Sequence, residues 1–114
     1  MKQPAVYLLA SKKNGTLYLG ITSNLIARIW QHREHLAEGF TKQHDVTKLV
    51  WFELCDSMEA AIQREKQVKK WNRQWKINMI ERGNPGWRDL WAEINGAAAP
   101  LDSRLRGNDE QIKP

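Results

Sequence analysis

Ala5-Val6-Tyr7-Leu8-Leu9-Ala10-Ser11-Lys12-Lys13-Asn14-Gly15-Thr16-Leu17-Tyr18-Leu19-Gly20-Ile21-Thr22 holds two short apolar runs separated by a polar break. Val, Leu, Ile and Tyr suit a pleated, buried surface, and Asn14-Gly15 is the dipeptide that a type I′ turn prefers, so the stretch is expected to fold as a β-hairpin. A two-residue loop would set Tyr7 opposite Thr22 and Tyr18 opposite Ser11. Period-two alternation then puts Tyr7, Tyr18 and Gly20 on one face and Val6, Leu8, Leu17, Leu19 and Ile21 on the other. The two phenols can be ordinary core aromatics whose hydroxyls reach solvent, or part of a site.

Working outward, Ser23 or Asn24 can cap a helix from Leu25 to about Ala37. Its apolar arc reads Leu25, Ile26, Ile29, Trp30 and Leu36. Arg28, His32 and His35 fall on the opposite flank at helical spacing, where they can reach one common point and bind an anion. Two histidines without a third ligand at a recognisable spacing do not make a zinc site. A polar loop with Gly39 and His44 leads to Lys48–Leu54, whose Val, Trp and Phe content reads as a buried strand.

Asp56 and Glu59 are placed as a capping box for the next helix, whose apolar stripe is Met58, Ala61, Ile62 and Val68. Glu65 falls inside that stripe. A buried carboxylate must be paired, protonated or bound to a metal, because leaving it unpaired costs several kcal/mol. An ion pair to Lys69 on a half-buried stripe is the plain alternative. Asn72 and Arg73 suggest a restart before a second helical segment through Glu81. Gly83-Asn84-Pro85-Gly86 reads as a turn, and Trp87 to Asn95 as a last short helix stopped at Gly96.

The chain has 114 residues and a formal net charge of +5. That length fits one domain, expected over residues 1–96, with a disordered tail over residues 97–114 that offers nothing to bury. Between Arg64 and Lys76 six basic residues stand against Glu65 alone, a local excess equal to that of the whole chain. A stripe so concentrated either forms a solvated helix face or meets a polyanion. The single cysteine, Cys55, excludes an internal disulfide and reads as a small buried hydrophobe. No stretch reads as a signal peptide or membrane span, so a cytoplasmic protein, monomeric by default, is expected. Of six tryptophans, Trp30 and Trp51 lie in core patterns, and Trp87 and Trp91 would share a helix face. Trp71 and Trp75 instead sit among Lys69, Lys70, Arg73 and Lys76. Rings among cations are how proteins hold unpaired bases, with charge tracking the backbone and rings stacking on bases.

The order strand, strand, helix, strand, helix, helix gives an α+β fold, a small three-stranded antiparallel sheet flanked by helices. With Ala5-Val6-Tyr7 and Tyr18-Leu19-Gly20 joined by a tight hairpin, the chain resembles the GIY-YIG nuclease superfamily, in its small stand-alone bacterial branch. The likeness continues through Arg28 on the following helix, His32 one turn later, Glu65 within Arg64-Glu65-Lys66-Gln67-Val68-Lys69-Lys70-Trp71, and the closing Asn84-Pro85-Gly86-Trp87-Arg88-Asp89-Leu90. Ala5 replaces the first glycine, and Ile21 stands where some members have a lysine.

The resemblance implies a metal-dependent endonuclease acting on DNA, with Tyr7, Tyr18, Arg28, His32 and Glu65 as its site. Glu65 would hold one Mg²⁺ or Mn²⁺ ion. Tyr7 would act as general base or orient water, with His32 as proton partner and a phenol pKa depressed by the nearby positive charge. Tyr18 would position the phosphate, and Arg28 would neutralise charge on its oxygens. Lys69, Lys70, Trp71, Arg73, Trp75 and Lys76 would bind the nucleic acid. Because a lone small domain has little surface with which to read a long duplex sequence, single-stranded or structured DNA is the expected substrate. The rival readings are a non-catalytic nucleic-acid-binding module of the same fold and, if the basic stripe is incidental, a small protein-interaction domain.

Overall fold

The structure is a computed structural model that describes residues 3–34 and 45–95. Strands β1 (Ala5–Ala10) and β2 (Leu17–Thr22) lead into helix α1 (Leu25–Arg33). Strand β3 (Lys48–Leu54) is followed by α2 (Met58–Lys69), α3 (Arg73–Gly83) and α4 (Trp91–Asn95). The sheet is antiparallel with order β2-β1-β3, the α+β arrangement expected from the sequence. His35, Leu36, Ala37, His44 and the tail expected to be disordered lie outside the described residues. Among the described residues no helix is long and apolar enough to cross a membrane.

The hairpin register differs from the two-residue-loop expectation. Tyr7 faces Gly20 and Leu9 faces Tyr18. The connection is a four-residue loop in which the Gly15 amide donates to the Lys12 carbonyl at 2.9 Å, with Asn14 in the left-handed region at φ 60°. The loop is longer by two residues, so every side chain keeps its expected face. Arg73 reaches across from α3, its Nη2 donating to the carbonyls of Asn14 at 2.8 Å and Gly15 at 2.5 Å.

Central strand β1 is buried on both faces along its whole length. One face joins Ala5, Tyr7 and Leu9 to Leu25 and Ile29 of α1, Val46, Leu49 and Leu90. The other joins Leu8 and Ala10 to Val50, Val68 of α2, Met79 and Ile80 of α3, and Trp87. A bulge in β3 at the Leu8/Leu9 register shift puts the consecutive residues Val50 and Trp51 into the second cluster, while Leu49 enters the first.

Asn84 repairs the backbone around that bulge. Asn84 is only 3% exposed; its Nδ2 donates to the carbonyls of Val50 at 3.1 Å and Arg88 at 2.9 Å, and its Oδ1 accepts from the Arg88 amide. The Asn84–Leu90 segment is therefore a structural clasp, continued where the Leu90 amide donates to the Leu49 carbonyl and Asp89 Oδ1 accepts from the Trp91 amide. Trp87 is not helical, contrary to the expected Trp87–Asn95 helix. It sits in the left-handed region at φ 55°, fully buried, its Nε1 donating to Glu81 Oε2 at 2.7 Å.

Other details also move. Asn24 caps α1, Ser57 rather than Asp56 caps α2 with no capping box, and Asn72 caps α3. Helix α1 turns Leu25, Ile29 and His32 inward, leaving Ile26 and Trp30 exposed, so the expected apolar arc is rotated and Trp30 is not core. Cys55 is half-buried rather than buried, with its thiol pushed up chiefly by desolvation.

Candidate active site

The rotation of α1 has a chemical cause on the sheet. Tyr7, 1% exposed at the middle of β1, brings a phenol hydroxyl into the first core cluster, where it needs a partner. His32 supplies one: Tyr7 Oη and His32 Nε2 are 3.0 Å apart, and the imidazole is itself 2% exposed. Tyr18, diagonal to Tyr7 on β2, completes a ring cluster. Its centroid lies 6.3 Å from that of Tyr7 and 5.6 Å from that of His32, while Tyr7 and His32 are 5.8 Å apart. These separations lie within the range in which aromatic pairs attract.

Gly20 is what lets the cluster lie on the sheet. A Cβ there would come within 2.6 Å of both Cζ and Oη of Tyr7 and 3.0 Å of Tyr18 Cε2. The glycine is required by close approach of the two rings and leaves no spare room.

Arg28, one turn before His32, is half-buried, and its Nη1 donates to Gln31 Oε1 at 3.0 Å. Burial raises the Tyr7 phenol to about 12 despite a hydrogen bond and the positive charge from Arg28, both of which lower it. The expected depression of Tyr7 is therefore overturned in the free protein: desolvation outweighs the cation. The same burial, followed by repulsion from Arg28, holds His32 down to about 4. Both rings are neutral at pH 7. With the imidazole proton on Nδ1, the Tyr7 hydroxyl donates a hydrogen bond to Nε2.

Glu65 lies on α2 between Ala61 and Val68, the two fully buried residues of that helix, and is itself half-buried. Among the described residues it has no hydrogen-bond or ion-pair partner, so the alternative of a pair with Lys69 is not realised. No described group of three or more His, Cys, Asp or Glu could enclose an ion. A single uncommitted carboxylate suits a hard cation that keeps most of its waters and takes further oxygens from a phosphate, so the donor set fits Mg²⁺ or Mn²⁺. Tyr7, Tyr18, Arg28 and His32 are brought together, whereas Glu65 stands on a helix packed against the opposite face and makes no described contact with them.

The basic stretch divides in two. Arg64 is committed to Glu53 Oε1 at 3.2 Å and lies 5.5 Å from the Trp71 centroid, and Arg73 is committed to the hairpin loop. Lys69 and Lys70 are exposed, and Lys76 is half-buried. Trp71 packs on the second core cluster, 6.0 Å from the 56%-exposed Trp75 with the rings near perpendicular. Gln31 and the reason for Gly20 were missed in the sequence; the signal for Gln31 was its spacing of three from Arg28.

Residues 3–78 match the model of the GIY-YIG catalytic domain. A UPF0213 protein of Staphylococcus haemolyticus is 37% identical over 81 residues, 71% of this chain and 98% of that protein. Another from Syntrophus aciditrophicus is 35% identical over 86 residues, 75% of this chain and 97% of its own length. The solution structure of a UPF0213 protein from Bacillus halodurans aligns with a TM-score of 0.49 and 25% identity, covering 81% of this chain and 96% of that one.

Proposed function

Because the chain belongs to the GIY-YIG catalytic domain family, we propose that it is a divalent-metal-dependent DNA endonuclease that leaves 5′-phosphate and 3′-hydroxyl ends and favours single-stranded or structured DNA. The observation that carries this reading is the buried Tyr7–His32 hydrogen bond at 3.0 Å with Arg28 beside it. A core tyrosine needs only some hydrogen-bond partner. A neutral imidazole aimed at its hydroxyl, with a guanidinium adjacent, is a chain along which a proton can move while negative charge is held.

In this reading a water attacks phosphorus and loses its proton to Tyr7 Oη, which passes its own proton to His32 Nε2. Relay spares Tyr7 from resting as phenolate, and the proton on His32, an imidazole that burial holds down to about 4 in the free protein, is stabilised by the negative charge of the bound phosphate. Arg28, always charged and planar, neutralises the phosphoryl oxygens as the bond to the 3′ oxygen breaks. Tyr18 orients the phosphate from the neighbouring strand. Glu65 would hold the divalent cation, which when bound supplies further neutralisation of phosphate charge and of the departing 3′ oxygen.

The rival is a non-catalytic nucleic-acid-binding module, favoured by Ile21 where some relatives have a lysine and by a Tyr7 phenol held at about 12. One assay separates the two. Plasmid, linear duplex, single-stranded DNA and RNA are incubated with the protein in Mg²⁺, in Mn²⁺ and in EDTA. Cleavage of DNA that EDTA abolishes is the expected result; cleavage that persists in EDTA, or binding without cleavage in either metal, overturns the proposal.

A further inference from the structure

Trp71, Trp75, Asn78 and Arg82 line a groove of about 320 Å³ on α3 and the turn before it. Trp75, Asn78 and Arg82, spaced by three and four residues, form one stripe along the helix, and Trp71 stands just before its N-terminus. Trp75 is 56% exposed, an unfavourable place for the largest apolar side chain unless something covers it. Trp71 is anchored: its ring packs on the core beneath, with the Arg64 guanidinium 5.5 Å from its centroid. The two indoles meet at 77°, so they form perpendicular walls.

The polar lining is equally directed. Gln74 Nε2 donates to Asn78 Oδ1 at 2.9 Å, which engages the amide oxygen and leaves the NH₂ group to donate elsewhere. Arg82 is exposed and has no ion-pair partner among the described residues. It lies seven positions after Trp75, about 10 Å along the helix, a distance a nucleotide can bridge between base and phosphate. Exposed Lys69 and Lys70 add positive charge at the other end. A cationic rim around an aromatic wall matches a polyanion carrying flat rings.

We propose that this groove holds one unpaired nucleobase, stacked on Trp75 with its edge toward Asn78 and its backbone phosphate at Arg82. The choice of DNA as occupant rests on the nuclease reading. None of Tyr7, Tyr18, Arg28, His32 and Glu65 lines the groove, so it is a second binding site that acts on affinity for the strand and not on the reacting phosphate.

The test is binding of fluorescein-labelled oligodeoxythymidylate and of a blunt duplex of matched length, at matched salt and in EDTA, so that no cleavage intervenes. Trp75→Ala should weaken the single strand about tenfold and the duplex less than twofold, and Trp75→Phe should restore most of the loss. Arg82→Ala should reduce the slope of log affinity against log salt by about 0.7, the value for one phosphate contact on a single strand. Equal losses on both DNAs, or no single-strand loss in Trp75→Ala with its melting temperature unchanged, overturn the inference. If Trp75→Ala fails to fold, the Trp75→Phe and Arg82→Ala arms decide it. Selective oligothymidylate binding by a protein that cuts nothing would support the groove and remove the nuclease. Cleavage with no selectivity at Trp75 would do the reverse.

Discussion

Tyr7 Oη and His32 Nε2 lie 3.0 Å apart inside the first core cluster, and each ring reaches the other from a different element, the central strand and helix α1. The contact joins fold to chemistry, because it satisfies a hydroxyl that burial would otherwise strand and leaves a neutral base in line with it. Tyr7→Phe keeps the packing and removes the relay. Cleavage at saturating DNA should fall by a factor on the order of 10²–10⁴, with oligonucleotide affinity within about threefold of wild type. Single-turnover cleavage and metal-free binding check this, and undiminished cleavage would remove Tyr7 from the chemistry.

The His32 imidazole, held down to about 4 against an ordinary 6.5, makes stability depend on acid. Between those values the unfolded chain binds a proton that the folded chain refuses, so this group's contribution is complete above about pH 6.5 and is lost as pH falls toward 4. The size is up to about 3 kcal/mol. Urea unfolding at pH 7, 5.5 and 4.5 should show the decline, and His32→Gln should flatten part of it. An NMR titration of the His32 ring with a midpoint near 6.5 would contradict the desolvation argument.

Glu65→Ala should abolish cleavage in Mg²⁺ and Mn²⁺ while leaving oligonucleotide binding in EDTA intact. The carboxylate is half-buried without a described partner, so its loss should lower stability by no more than about 1 kcal/mol. Paramagnetic broadening by Mn²⁺ gives a readout apart from activity: amide signals around Glu65 should broaden in wild type and not in the variant. Unchanged broadening would place the ion elsewhere.

The faces of the hairpin could be read from the sequence because a loop longer by two residues preserves the pleat. Its register could not, since Asn14 alone in the left-handed region closes a four-residue loop as well as Asn14-Gly15 closes a two-residue one. Hydrophobicity misplaced α1 because it counted Ile26 and Trp30 as core and His32 as surface. The Tyr7 hydroxyl reverses that order by rewarding a buried imidazole, and a tertiary hydrogen bond leaves no trace in helical periodicity. Trp87 was misread for a related reason: a tryptophan at positive φ is unfavourable locally and is held by full burial, the Asn84 turn and Glu81. Glu65 is half-buried between the buried Ala61 and Val68, but the apolar stripe expected around it is narrower than the sequence suggests, because Ile62 is 37% exposed. The position of Glu65 relative to the tyrosines depends on how α2 crosses the sheet, which no local pattern encodes.

Arg28→Ala should reduce cleavage far more than binding, since one phosphate contact among several adds modestly to affinity and strongly to the transition state. A loss on the order of 10²-fold in rate with less than about fivefold in affinity is expected from removing such a charge. Arg28→Lys should recover only part, because an ammonium lacks the planar fork. A variant that loses binding yet cleaves normally at saturating DNA would make Arg28 a docking residue.

Gly20→Ala tests whether the sheet surface itself sets the site. One methyl would meet Tyr7 Cζ and Oη at 2.6 Å, and Tyr7 can retreat only by straining its core packing and its hydrogen bond to His32. Tyr18 is closer to the edge of the sheet and only half-buried, so it yields more easily than Tyr7. Overpacking of this kind costs about 1–3 kcal/mol, which in a domain of this size lowers the melting temperature by several degrees. The Tyr7–His32 distance should lengthen as the ring is displaced, so cleavage should fall even at temperatures where the variant is fully folded. Thermal unfolding and cleavage measured together separate the two effects. A variant as stable and active as wild type would mean that the strand can shift to accommodate the methyl group.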